Sequence, residues 1–194
     1  MKRNLMLVLV CVGLSGCGWQ SIPQSKNQVD ASLAEVTNQY KRRADLIPNL
    51  VETVKGYAKQ EQETLVSVTE ARAKATSIQI DPTKVKPEDL AKFQQAQGQL
   101  SQALGKLMMV AEKYPDLKSN QNFSDLQAQL EGTENRITVA RNRLIDAIKE
   151  YNNQLTVPPT SWTNSMMYHF EKMSQWDVSA EEKKTVEQAP SVKF

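Results

Sequence analysis

Histidine is almost missing from this chain: His169 is the only one among 194 residues. The residue three before it is Met166. Carboxylate-bridged metal sites in helical bundles use Glu-x-x-His twice, so that ligand set is excluded, and no metal or other cofactor is expected. Cysteine is scarce too. Cys11 lies in an N-terminal leader and Cys17 at its end, which excludes a disulfide within the domain that follows. Past the leader only Gly18, Gly56, Gly98, Gly105 and Gly132 remain, and the last four fall inside helical patterns. None is left for a phosphate-cradling loop, so nucleotide binding of the P-loop or Rossmann kind has no support. Inside a helix each glycine costs about 1 kcal/mol relative to alanine, and close helix approach is the expected compensation. No Gly-x-Ser-x-Gly nucleophile motif is present. Charge of one sign is lacking as well. There are 24 basic and 22 acidic residues, and setting aside Lys2 and Arg3 of the leader leaves 22 of each. Nucleic acid is therefore not an expected partner. Nothing points to a small-molecule substrate.

Long apolar runs are also missing. The leader's run, Leu5 to Leu14, is half the roughly 20 residues a membrane-spanning helix needs. Lys2 and Arg3 before it, and small residues after it, describe an export signal. The signal ends in Leu14-Ser15-Gly16-Cys17, which resembles the lipobox of bacterial lipoproteins. The resemblance implies cleavage between Gly16 and Cys17, lipid such as palmitate on Cys17, and a membrane as first partner. Each buried CH₂ contributes about 0.8 kcal/mol, so several acyl chains would hold a domain firmly. The alternative is an uncleaved anchor with a chance cysteine. Gly18 after the cysteine favours the periplasmic face of the outer membrane if the cell is Gram-negative. Four segments follow from this reading: signal 1–16, lipidated cysteine and polar tether 17–27, helical bundle 28–156, and C-terminal segment 157–194. Trp19 in the tether is placed at the membrane interface or simply in solvent.

What is abundant is helical periodicity. Val29, Leu33, Val36 and Tyr40 share one face of a first helix, Gln28 to Ala44. Ile47, Val51, Val54, Ala58, Leu65, Val68 and Ala75 continue the rhythm in a second, Leu46 to Ser77. Between them stands the stretch Lys41 to Tyr57, around which the chain is organised. Its Lys41-Arg42-Arg43 cluster suits the end of one helix, Asp45 suits the cap of the next, and Pro48 suits a first turn. The spacing predicts a break between Arg43 and Ile47. Glu61 and Arg72 fall on the seam and are expected to pair or to sit at its edge. Pro82 and Pro87 bracket a loop. A third helix carries Leu90, Phe93, Gln97, Leu100, Leu104, Leu107, Ala111 and Tyr114 in a three-four register. A fourth, Asn122 to Gln154, carries the cleanest heptads: Phe123, Leu126, Leu130, Thr133, Ile137, Ala140, Leu144, Ala147, Tyr151 and Leu155. The expected class is all-α: an elongated four-helix, mostly antiparallel up-and-down bundle with a less ordered C-terminal tail.

After Pro158-Pro159 comes a Met/aromatic segment, Trp162 to Trp176, fit to dock on the bundle, a membrane or a partner. His169 in it is expected to be a packing residue, and Ser179 to Phe194 to be weakly ordered.

Three blocks of this chain resemble the LemA family of bacterial membrane-associated helical proteins. They are RRADLIPNLVETVKGYAKQEQETL from Arg42, YPDLKSNQN from Tyr114, and LEGTENRITVAR from Leu130 with Tyr151 and Asn152 beyond. In the family the C-terminal segment typically carries glycines and phenylalanines. Here the glycines are missing, and Trp176 stands near where the family tends to have an aromatic pair. The resemblance implies a membrane-tethered helical bundle of largely undefined role. Arg42, Arg43, Asp45, Pro48, Asn49, Glu134, Asn135 and Arg136 lie in these blocks. They are candidates for a buried polar network or for a polar docking site. The expected function is a lipid-anchored, non-catalytic scaffold or adapter of the cell envelope whose partner is another envelope or membrane protein. The competing expectation is an envelope hydrolase or metal-dependent enzyme, which would need a concave pocket with convergent polar groups. Paired carboxylates for acid–base work are not apparent.

Overall fold

A computed structural model describes residues 17–176, with side chains from Gln20 onward. Residues 1–16, expected to be the export signal ending at Gly16, and the tail from 177, including the segment expected to be weakly ordered, lie outside the described residues. Among those described, the structure is all-helical. Six α-helices are present: α1 Cys17–Tyr57, α2 Gln62–Ser77, α3 Pro87–Ala111, α4 Pro115–Lys118, α5 Gln121–Thr156 and α6 Thr160–Thr163. A 3₁₀ turn, Pro82–Lys84, precedes α3, and a π turn, Asn164–Tyr168, follows α6.

The first finding is a correction. The break expected between Arg43 and Ile47 does not exist. Helix α1 runs unbroken through 41 residues, about 60 Å at 1.5 Å per residue, with Pro48 in its interior. Asp45 is exposed on the helix surface and caps nothing. A proline here leaves the carbonyl four residues earlier without its donor. That carbonyl belongs to Ala44, and the Arg72 Nε of α2 donates to it at 2.8 Å. A side chain 28 positions away supplies the hydrogen bond that Pro48 cannot make. Arg72 thus does not pair with Glu61, whose carboxylate instead accepts from the Tyr114 hydroxyl at 3.5 Å.

The chain reverses later, at Ala58 to Glu61, where Glu61 N–H donates to the Ala58 carbonyl at 3.1 Å. The reversal lays α2 back on α1, with Leu65, Val68 and Ala75 buried against Ile47, Leu50 and Val54. Residues 17–27, expected as a tether, form the first turns of α1, and Ile22 is fully buried.

Helix α5 begins at a side-chain cap, Asn120 accepting from the Phe123 N–H at 3.1 Å. All ten positions of its predicted stripe are buried. It runs antiparallel to α1, as three cross-links of steadily opposed numbering show. Asn120 donates to the Tyr57 hydroxyl at 2.9 Å, Arg43 meets Glu134 at 3.0 Å, and Arg143 meets Glu35 at 2.8 Å.

The core has two parts. The distal cluster holds Ile47 to Val54 of α1, Ala58 of the reversal, Leu65 to Ala75 of α2, Ala96 to Ala111 of α3, Leu117, and Phe123 to Leu130 of α5. The proximal cluster holds Ile22 to Tyr40 of α1, Ile137 to Leu155 of α5, Leu90 and Phe93 at the start of α3, and Trp176. Three of the four helical glycines, Gly56, Gly105 and Gly132, do not mark close helix contacts. A Cβ built at Gly56 or Gly105 would meet nothing within 4 Å, and at Gly132 only the Arg136 guanidinium at 3.7 Å. The expected compensation for their helix cost is absent at these three positions.

Candidate functional site

Between the two clusters lies a polar layer. Along α1 the apolar stripe reads Tyr40, Arg43, Ile47; along α3, Phe93, Gln97, Leu100; along α5, Leu130, Thr133, Ile137. The middle residue of each triplet is polar and buried. Arg43 is the centre. One terminal nitrogen, Nη1, donates to Ser101 Oγ at 2.9 Å and to Glu134 Oε2 at 3.0 Å. The other, Nη2, donates to the Gln97 side-chain oxygen at 2.8 Å and to its backbone carbonyl at 3.2 Å. The guanidinium also lies over the Tyr40 ring, 4.9 Å from its centroid, and Tyr40 meets Phe93 edge-on at 5.3 Å. Arg43 Nε is buried with no hydrogen-bond partner. Thr133 Oγ1 donates to the Gln129 carbonyl at 2.7 Å and accepts from Arg136 at 3.1 Å.

This arrangement ties α1 to both α3 and α5. The Arg43 side chain is only 3% exposed, while Glu134 is half exposed at 52%. The pair is thus a buried cation reaching a carboxylate that keeps part of its water. Such a contact adds little net stability, yet a buried charge without its acceptors is costly, so wrong helix registers are disfavoured.

Of the eight candidate residues, only Arg43 and Glu134 meet directly. Arg136 is exposed and bonds only Thr133 on its own helix. Arg42, Asp45, Pro48, Asn49 and Asn135 are all exposed. A network of all eight, tying the second expected helix to the fourth, does not form, because consecutive residues on a helix point 100° apart and cannot all face inward. Gln97 and Ser101, which complete the network, were not among the candidates. The signal for Gln97 was its place in an otherwise apolar stripe. Among the described residues, no cluster of three or more His, Cys, Asp or Glu could hold a metal ion. None of the described helices is long and apolar enough to cross a membrane. The Cys17 backbone begins α1, and its side chain, like that of Trp19, is outside the described atoms.

A second constellation lies at the proximal end. The Met/aromatic segment divides. Trp162, Met166 and Met167 are exposed, at 64%, 81% and 49%. Tyr168, Phe170, Met173 and Trp176 instead pack against the proximal core. His169 is not a packing residue: it is exposed and turns the chain with φ 53°. Asn152 and Tyr151 of α5 hold the segment. Burial, reinforced by the Asp30 carboxylate, pushes the Tyr151 phenol above its usual range, and its hydroxyl donates to the Glu171 carbonyl at 3.2 Å. A pocket of about 330 Å³ lies between this segment, the 82–87 turn and the two long helices.

The chain is 24% identical over 141 residues to Protein LemA of Metamycoplasma hominis, a match that covers 73% of this chain and 59% of that protein. It therefore spans less than two thirds of the length of that relative. The LemA family model matches residues 32–194, which takes in the polar layer and the Asn152 clasp. On that match the chain belongs to the LemA family.

Proposed function

We propose that this protein is a lipid-anchored, non-catalytic adapter of the cell envelope. Its four longer helices form a mostly antiparallel up-and-down bundle, joined to a membrane by lipid on Cys17 and to another envelope or membrane protein by its surface. The observation that carries the reading is the position of the Leu-Ser-Gly-Cys sequence. Its Cys17 already lies in α1, and the first fully buried side chain among those described, Ile22, comes five residues later. Lipid on Cys17 would therefore hold the proximal end of the rod at the bilayer with almost no slack. Helix α1 would then carry the distal end about 60 Å outward. Gly18 favours the outer membrane if the envelope has two.

The experiment is metabolic labelling with a tagged palmitate in cells expressing the full chain. Label is expected in the wild type and absent from Cys17→Ser, which should accumulate as an unprocessed precursor. Label retained by Cys17→Ser would overturn the anchor. Fractionation of the same cells places the labelled protein in one membrane or the other.

A further inference from the structure

The segment 169–176 lies on the proximal core as a strap; its hydrogen-bond anchors, Tyr151, Asn152 and Asn164, reach only its main chain, and the Arg141 guanidinium lies over the Trp176 ring, 5.9 Å from its centroid. Asn152 donates to the Met173 carbonyl at 2.9 Å and accepts from the Met173 N–H at 2.9 Å. Asn164 makes the same pair of bonds to Phe170, both at 3.0 Å. Tyr151 adds a bond to the Glu171 carbonyl. Bonds of this kind accept any residue that has an N–H, so they read a backbone and exclude proline. Side chains supply the rest. Phe170 and Met173 are half-buried and Trp176 is buried, while Glu171, Lys172, Ser174 and Gln175 between them are exposed. Three residues per repeat is the spacing with which an extended, threefold chain presents one face. Main-chain hydrogen bonds combined with pockets for periodic side chains are how proteins take up a peptide strand.

Two further observations show that the strap is an imperfect occupant. It leaves the 330 Å³ pocket unfilled, between Phe170 and Met173 on one side and Val29, Leu33, Leu144 and Ile148 on the other. It also enters its seat through His169, a non-glycine residue in the left-handed region, where a side chain is disfavoured. A tethered segment tolerates such defects, because its effective concentration at the seat is in the mM range.

We propose that this seat is a peptide-binding groove, filled in cis by the chain's own strap. The partner that displaces it is a protein segment of the strap's chemistry. It is extended, has an N–H at the clasped position, and carries aromatic or methionine side chains three residues apart, one of them large enough to enter the pocket. The proposal rests on the adapter reading only in supposing a protein partner. Peptide binding in vitro does not depend on lipid at Cys17, so either reading can fail alone.

The test uses a fluorescein-labelled peptide of residues 168–177 and the full chain carrying Met173→Ala and Trp176→Ala, which weaken the strap and leave the groove intact. Fluorescence anisotropy should show saturable binding to this variant, and at least tenfold weaker binding to the wild type, whose own strap competes. Adding Asn152→Ala to the variant, or Met173→Pro to the peptide, should remove binding. No saturable binding to a variant whose circular dichroism remains helical would overturn the proposal. So would binding that ignores Asn152→Ala and the proline. Should the variant lose its helical signal, the wild type decides by hydrogen exchange. Excess peptide should speed exchange of the Met173 amide at least tenfold, and an unchanged rate would overturn the proposal.

Discussion

The distal and proximal halves of this rod are built on the same two helices and differ in what covers them. In the distal half α2 and α3 lie against α1 and α5, and apolar faces from four longer helices close on one another. In the proximal half the only helices beside α1 and α5 are the first turns of α3 and the single turn of α6. The rest of their stripe is covered by Ile78, Ile80 and Val85 of the loop and by the C-terminal strap. An antiparallel pair of helices with stripes this wide cannot bury them alone. The difference teaches that the third layer of a bundle need not be helical. Where it is a strap held by a few side-chain bonds, that half is the easier one to open. The polar layer of Arg43, Gln97 and Thr133 stands where one kind of cover gives way to the other.

The sharpest way to break this comparison is to empty one core at a time. Leu107 and Leu144 are both almost fully buried, one in each cluster. Replacing either with alanine should cost about 2–5 kcal/mol. Denaturant melts followed by circular dichroism will tell whether the halves are separate. If the rod is one cooperative unit, both variants shift the same single transition. Two resolved transitions, each answering to one variant only, would mean that the polar layer uncouples the halves.

The layer itself is the next target. Removing one partner of a buried ion pair costs about 3–5 kcal/mol, but water can recover the half-exposed Glu134, so Arg43→Ala should cost about 2–3 kcal/mol. Glu134→Gln keeps an acceptor and should cost under about 1 kcal/mol. Equal losses for the two in the same melts would mean that the carboxylate charge, rather than the buried guanidinium with its Gln97 and Ser101 acceptors, dominates.

Much of this is legible in the sequence. Every apolar position assigned to α5 is buried, because a heptad rhythm sustained over ten positions leaves one face to choose. The site was less legible. Arg43 stands among six other polar candidates and Pro48, and residue type alone does not separate a buried arginine from an exposed one. Its spacing could have: Arg43 lies three after Tyr40 and four before Ile47, inside the stripe, whereas Arg42 and Asp45 lie off it. The true reversal was not legible at all. Ala58, Lys59, Gln60 and Glu61 are good helix formers, and the turn they make is imposed by the fold-back of α2 on α1. The strap was hidden for a related reason, since its anchors are main-chain groups, which every sequence has.

The finest comparison is between the expected break at Pro48 and the continuous helix that replaces it. Proline is tolerated there because Arg72 reaches the Ala44 carbonyl. Two substitutions separate this from mere tolerance of a kink. Arg72→Met keeps most of the aliphatic reach and removes the donor, which leaves the Ala44 carbonyl without a partner inside the distal half. That should cost about 1–3 kcal/mol. Pro48→Ala returns an N–H four residues beyond Ala44, so the carbonyl gains an intrahelical donor and no longer depends on Arg72. In the Pro48→Ala background Arg72→Met should therefore cost less, and the difference, about 1 kcal/mol, is the coupling between the two positions. A double-mutant cycle in denaturant melts measures it. Coupling near zero would mean that Arg72 holds α2 to α1 by packing alone, and that α1 absorbs Pro48 without help from the second helix.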